Sequence, residues 1–365
     1  MDGNKHWMRF TNFLKQELGQ MKKKTLFTFL VLLAVLTACH NGSWEFPDYK
    51  YQAVYFAYQY PVRTITLGKS QFSTTLDNKH EFKIMATTGG VYDNKHDVTI
   101  DFKVDKSLVK GLLFNQGGDE IQPMPDDYYN LDSHKMVIPK GKLTGGVLVH
   151  LTDKFFADSK SLKKTYVIPV KMTKVVNADT MLSGEPKATV SNPRIGHAGD
   201  WSKSPKNYTF YAVKYINRWD GNYLSRGKDV ISGKNGNSSI DTTIVRHEEH
   251  ITNNQVVKLN TSSLSQVEFP VTYKDKQGQN INVTLLLNFD DQGNCTISDN
   301  SSNYTATGSG KFIEDGAKNS WGGKDRNVIY LDYNVDMSQR TIATKDTLVL
   351  RNRGVTMETF SPVTK

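Results

Sequence analysis

The sequence predicts an all-β protein in two parts, an antiparallel β-sandwich followed by an antiparallel β-barrel, and three observations support this. Seventeen Tyr and seventeen Phe, with abundant Val, Ile and Thr, supply the aromatic and β-branched side chains that suit a pleated, half-buried surface. Apolar residues recur in short alternating segments between Gly, Pro, Asn and Asp turn signals, with almost no helical periodicity. Only two cysteines are present, so burial of a core must stabilise the fold in place of a disulfide framework.

The chain opens with a segment that stands outside this pattern. Lys22 to Lys24 precede an apolar run from Leu26 to Leu36, which ends in Leu36-Thr37-Ala38-Cys39. A basic start, an apolar stretch and a small-residue cleavage site are the parts of a secretory signal. The run is shorter than the ~20 apolar residues of a membrane span, and polar His40 to Ser43 follow it at once. The pattern resembles the bacterial lipobox, which implies lipidation of Cys39, removal of residues 1–38 and a tether over 39–50. Residues 1–20 stand before a complete signal beginning at Met21 and are left out of the fold reasoning. Loss of 1–38 removes six basic and two acidic side chains, lowering the formal charge from +9 to +5. Lysines scattered among acids, with no basic block, argue against a nucleic-acid partner. With Cys39 lipidated, Cys295 has no partner within the chain.

The sandwich is expected over 51–175. Tyr51 to Tyr60, apolar on both faces and closed by Pro61, suits a central strand covered on both sides. Arg63 to Leu67, Glu81 to Ala86, Val98 to Val104, Lys135 to Ile138, Val147 to Leu151 and Tyr166 to Met172 follow as alternating strands. Thr88-Gly89-Gly90, Gln116 to Asp119 and Pro139-Lys140-Gly141 break them, giving an immunoglobulin-like arrangement. A short helix is allowed within 105–116. The segments Phe46 to Tyr49, Val54 to Thr64, Met136 to Gly141 and Tyr166 to Val170 resemble the N-terminal domain of unknown function of Bacteroidetes surface lipoproteins, also found before family 18 endo-glycosidases. That resemblance implies association with a polysaccharide-utilisation system.

From Val176 to Asn207 the apolar pattern lapses and Pro186, Pro193 and Pro205 accumulate, so a linker is read over 176–206. The barrel is expected over 207–365. Its strand series starts at Tyr208 to Ile216 and continues through Ile240 to Ile251, Gln255 to Leu259, Val267 to Tyr273, Ile281 to Phe289, Tyr304 to Ile313, Val328 to Val335 and Thr347 to Arg351. Such a succession favours a closed barrel, which leaves no exposed edge. Ala212 to Asn217, Gly221 to Gly227, Val328 to Tyr333 and Asp346 to Arg351 are similar to the lipocalin-like C-terminal domains of the same lipoprotein group.

No enzyme signature survives inspection. In His247-Glu248-Glu249-His250 the histidines are three apart in an expected strand, whereas a zincin needs them four apart on one helix. Gly308-Ser309-Gly310-Lys311 lacks the leading Gly and the Ser or Thr of a phosphate loop, and reads as a glycine-eased bend. Asp290 to Asn294 is a hairpin tip without the spacing of a calcium loop. The clustered carboxylates of family 18 are absent, and the second part is too short for a (β/α)₈ barrel. No cofactor or metal is expected.

What remains is aromatic. Trp201, Trp219, Tyr223 and Trp321 lie among Gly, Asn, Asp and Lys in expected loops, and a rigid ring beside polar groups suits the apolar face and polar edge of a sugar. Trp219, Tyr223 and Trp321 are the candidate platform, with Arg226 or Arg326 reaching sugar hydroxyls; the blander alternative is that the rings plug the barrel ends. The Tyr128-Tyr129 loop is a second candidate. The expected function is lipid-anchored glycan capture at the outer membrane without catalysis; the alternatives are a glycan hydrolase with a dispersed carboxylate pair and a surface adhesin. No Asp follows Cys39, which suits outer-membrane delivery, and exposure at the cell surface is an expectation from the resemblance.

Overall fold

The computed structural model describes residues 51–365. The lipobox, Cys39 and the tether lie outside them. The first sheet contains β1 (Ala53–Tyr55), β2 (Pro61–Thr66), β3 (Glu81–Gly89), β4 (Val98–Val104), β5 (Lys135–Ile138), β6 (Thr144–Leu151), β7 (Tyr166–Val176) and β8 (Tyr208–Ile216), in the order β1-β3-β6-β5-β4-β7-β8-β2. Period-2 alternation sends Phe82, Ile84 and Ala86 of β3, Ile100 and Phe102 of β4, and Val147 and Val149 of β6 into one shared core. The sheet thus folds over on itself as a sandwich. One short α-helix among the described residues, α1 (Asp153–Ala157), contributes Phe155 and Phe156 to that core. The expected helix within 105–116 is a 3₁₀ turn, Lys106–Val109, capped by Asp105.

In the first sheet, two strand assignments change. Tyr51 to Tyr60 is not one central strand: β1 covers three residues, Tyr51 and Tyr58 are more than half exposed, and the chain crosses from β3's side to β8's side before β2. Tyr208 to Ile216, expected to open the barrel, belongs to the first sheet. It pairs antiparallel with β7, Pro169 opposite Phe210, and parallel with β2, Ala212 opposite Val62. Both faces of β8 are covered, Val213 and Tyr215 by the sandwich core and Phe210 and Ala212 by a second cluster with Val109, Phe114 and Phe360. A doubly buried strand has no wet face to mark its sheet, and its partners are set by distant segments. The 176–206 stretch is also ordered: Thr180–Met181 extends the sheet beside β1, and Glu185–Pro186 pairs with Trp201–Lys203.

The second sheet contains β9 (Gly221–Gly233), β10 (Thr242–Arg246), β11 (Gln255–Thr261), β12 (Gln266–Lys274), β13 (Asn280–Phe289), β14 (Asn294–Ser298), β15 (Tyr304–Ser320), β16 (Lys324–Met337) and β17 (Arg340–Asn352). β9 pairs with β17 along one edge, Gly227 opposite Asp346, and with β11 and then β10 along the other. This closes the ring, with β10 on its flank. The interior is filled by Leu259, Phe269, Leu285, Leu287, Ile329, Tyr333, Val335 and Leu348 among others. Gly308 and Gly310 lie where β15 approaches β16: a Cβ on either would meet backbone oxygen at 2.5 or 2.6 Å. Asp290 caps the β13–β14 hairpin by accepting from the Asn294 backbone N–H at 2.7 Å. Beyond the barrel the chain returns to the sandwich, where β18 (Glu358–Thr359) pairs with β2 and Val363–Thr364 with Leu112–Leu113.

Candidate functional site

Two of the three expected platform rings lie inside the barrel. Trp219 is 5% exposed and stacks on Phe289, with centroids 4.4 Å apart and planes 10° from parallel. Tyr223 is fully buried, and its hydroxyl donates to the Trp219 carbonyl oxygen at 2.8 Å. Gly221-Asn222-Tyr223 has the composition of a loop, yet it begins β9, where the pleat turns Tyr223 inward with Ser225. The Arg218 guanidinium lies 5.7 Å from the Trp219 centroid and 5.1 Å from that of Phe312. Trp219 therefore plugs one end of the barrel beneath a cation, and neither it nor Tyr223 has a face for a ligand.

Trp321 and Arg326 do meet, at the β15–β16 turn. The guanidinium carbon is 4.7 Å from the indole centroid, and Arg326 Nε donates to the Trp321 carbonyl at 3.3 Å. One face of this half-buried ring is thus taken by the protein's own cation. Arg326 also lines a polar cleft of about 540 Å³ with Lys69, Asp315 and Arg351. Arg226 lies apart from both, donating to Asn254 Oδ1 at 3.0 Å and to the Glu248 carbonyl at 3.2 Å. Trp201 donates to the Arg194 carbonyl at 3.0 Å and Tyr128 to Asp158 at 3.0 Å, so both hold loops in place. Tyr129 is buried.

Carboxylates converge at one place in the barrel. Arg246 reaches from β10 to donate to both oxygens of Asp229, at 2.8 and 3.0 Å, and to Asp346 Oδ1 at 2.5 Å. Tyr333 donates to Asp346 Oδ2 at 2.9 Å, and Thr344 to Asp229 Oδ1 at 3.0 Å. The two carboxylates are 2% and 0% exposed. Burial pushes Asp346 above the usual carboxylate range despite the guanidinium beside it. Burial opposes the Arg246 charge, but Asp229 and Asp346 outweigh it and raise its pKa. Sealed and mutually satisfied, this pair is a polar network that ties β9, β10, β16 and β17 together. His247 and His250 follow β10 in a loop, not in the expected strand, and among the described residues no group of His, Cys, Asp and Glu could hold a metal.

The same strands present a groove of about 730 Å³ on their outer face. Strand register builds it in two neighbouring rows. Lys311, Tyr330, Thr347 and Arg226 stand opposite one another in turn across β15, β16, β17 and β9, and Ser309, Asp332, Lys345, Lys228 and Val245 do so one step along. Tyr330 is 44% exposed and lies among hydroxyl and charged groups. Lys311 is held by the Gln292 carbonyl at 3.0 Å and Asn294 Oδ1 at 2.8 Å, and Lys345 pairs with Asp332 at 2.9 Å. Of the residues expected from sequence, only Arg226 lines this groove. The signal for Tyr330 lay in the alternation of Ile329, Leu331 and Tyr333, which marks it as a wet-face aromatic inside a strand.

A family model described as an N-terminal domain matches residues 49–179, and the model of DUF5627, a domain of unknown function, matches residues 218–354. No curated protein matches the chain. Among solved structures, a Bacteroides ovatus protein of unknown function shares 46% identity over 87% of this chain and 100% of its own, with a TM-score of 0.80. A multidomain Bacteroides ovatus protein that includes DUF1735 is 12% identical over 85% of this chain and 100% of its own, with a TM-score of 0.40. A Bacteroides ovatus protein suggested to bind carbohydrate is 12% identical over 84% of this chain and 97% of its own, with a TM-score of 0.25. The last two superpose too loosely to carry an argument.

Proposed function

We propose, from the premise that the chain belongs to the family of the Bacteroides ovatus protein of unknown function that it matches at 46% identity, that it is a non-catalytic glycan-binding protein whose site is the groove around Tyr330. The observation that carries this reading is a half-exposed aromatic ring lining an open groove, with Ser309, Thr347, Asp332 and Lys311 lining it too. A sugar offers an apolar face to such a ring and hydroxyls to such neighbours, and the strands beneath hold the ring in position. Stacking of this kind contributes about 1 kcal/mol beyond burial. The carboxylates that could hydrolyse a glycosidic bond must reach it, and Asp229 and Asp346 are locked behind Arg246.

The test is a glycan screen of the chain from Cys39 onward, with product analysis, against its Tyr330→Ala variant. Binding by the parent that falls severalfold in the variant, with no sugar released, is the expected result. Released sugar would favour a hydrolase, and a folded variant that binds as before would move the site elsewhere. The location in this reading is the outer membrane, through a lipid on Cys39, as part of a polysaccharide-utilisation system. Cys39→Ala should then leave the membrane fraction while keeping its thermal transition; retention in washed membranes would sink the lipid-anchor reading. Protease shaving of intact cells tests exposure at the surface, and a chain left untouched would exclude it.

A further inference from the structure

The groove around Tyr330 is charged as well as aromatic. Arg226, Lys228, Lys311 and Lys345 line it with His247 and with Arg246, whose charge is taken by Asp229 and Asp346, against one exposed carboxylate, Asp332. Asp346 also borders it, but its side chain is fully buried and bound by Arg246. Lys228 stands directly opposite Lys345 in the β9–β17 register, one step from the Thr347–Arg226 pair. Like charges directly opposite on one face of a sheet are destabilising, and only Lys345 has a counter-charge, Asp332 at 2.9 Å. Lys228 is exposed and has no hydrogen-bonding or ionic partner among the described residues. Arg226 and Lys311 are fixed by amide and carbonyl oxygens alone, so their charges stay uncompensated. The strands thus hold an array of cations around an exposed aromatic ring, at a cost that an anion spanning Lys228 and Lys345 would offset.

We infer that the occupant is an acidic glycan, one carrying carboxylate or sulfate groups, with a sugar ring on Tyr330 and its anionic groups on Lys228, Lys345 and Arg226. This rests on the reading of the groove as a glycan site. A glycan fits better than a nucleic acid: the groove has one large aromatic ring, Tyr330, with only the His247 imidazole besides, where a stacked strand uses several rings in succession, and Asp332 would oppose a continuous phosphate backbone. The hydroxyls of Ser309 and Thr347 match neutral sugar hydroxyls between charged groups.

The experiment measures affinity for four probes in low and high salt: polygalacturonate for the carboxylate source, chondroitin sulfate for the sulfate source, an uncharged galactan, and a short single-stranded DNA. The parent, Lys228→Ala, Lys345→Ala, Tyr330→Ala and a control, Lys174→Ala on the sandwich, are compared. One acidic glycan should bind best and weaken about tenfold at high salt, as exposed ion pairs are screened. Lys228→Ala and Lys345→Ala should each weaken it about five- to tenfold, with Lys174→Ala unchanged and all thermal transitions kept. Equal binding of galactan through Tyr330, indifferent to salt and to both lysine variants, would overturn the acidic assignment and leave the glycan site standing. Loss by Lys174→Ala as large as by Lys228→Ala, or tighter binding of DNA, would show a merely basic surface and overturn it. No binding of any glycan would overturn both readings.

Discussion

The guanidinium of Arg353, buried at the end of the barrel, donates to the carbonyl oxygen of Asn217 at 2.5 Å and to those of Leu67 and Lys69 at 2.9 and 3.1 Å. Asn217, itself fully buried, accepts from the Trp219 and Asp220 N–H groups and donates to the carbonyls of Ser263 and Gln266. One arginine thus fastens the last barrel strand, the first sheet and the crossing between them. Burial lowers its pKa, with Tyr223 and Asp220 opposing that shift. Arg353→Ala would leave three carbonyls without their donor, and an expected loss of about 2–4 kcal/mol follows. Denaturant unfolding should show an earlier midpoint and a separation of sandwich and barrel transitions. An unchanged curve would mean that the contact carries no stability.

Trp219 and Trp321 should part company on mutation. Trp219→Ala removes a stacked core plug and should cost about 3–5 kcal/mol. Trp321→Ala, at a hairpin tip, should cost less than about 1 kcal/mol. Thermal melts of the two variants decide it, and equal losses would contradict the plug assignment.

The C-terminal tail should stabilise the sandwich selectively. Phe360 packs against Tyr60 and Phe114 with centroids 5.6 and 5.0 Å apart. Phe360→Ala should cost about 3 kcal/mol and open protease sites around Leu112–Leu113 before any in β15 or β16. First cleavage in the barrel would count against this.

Cys295 is buried, and that burial pushes its thiol up to about 12. The thiolate is the reactive form, so iodoacetamide at pH 8 should label the unfolded chain and spare the native one. The raised pKa also has a linkage consequence: the thiol's contribution to stability is complete below the unfolded value, about 8.5, and is lost as pH rises toward about 12. Cys295→Ala should flatten that alkaline decline; rapid native labelling would remove the basis for both expectations.

Much of the fold was legible because alternation is a local signal. Phe82, Ile84 and Ala86 in β3, or Val283, Leu285 and Leu287 in β13, announce both the strand and its buried face within a few residues. Where composition spoke for a loop, as at Gly221-Asn222-Tyr223, the reading failed, because pairing with β11 and β17 on either side overrides the turn preference of Gly and Asn. The aromatic platform read from those residues dissolved with it.

By itself, then, the sequence determined the all-β class, most strand positions and the turn chemistry of Asp290 to Asn294, each set by interactions between near neighbours in the chain. The tertiary structure decided which sheet receives Tyr208 to Ile216, that the tail returns to the sandwich, and that Trp219 faces inward while Tyr330 faces out. It also decided the candidate site, since Lys228, Lys311, Tyr330 and Lys345 are separated by up to 117 residues and share a groove only through the register of β9, β15, β16 and β17. That register depends on closing the ring, and ring closure is a property of all its strands together.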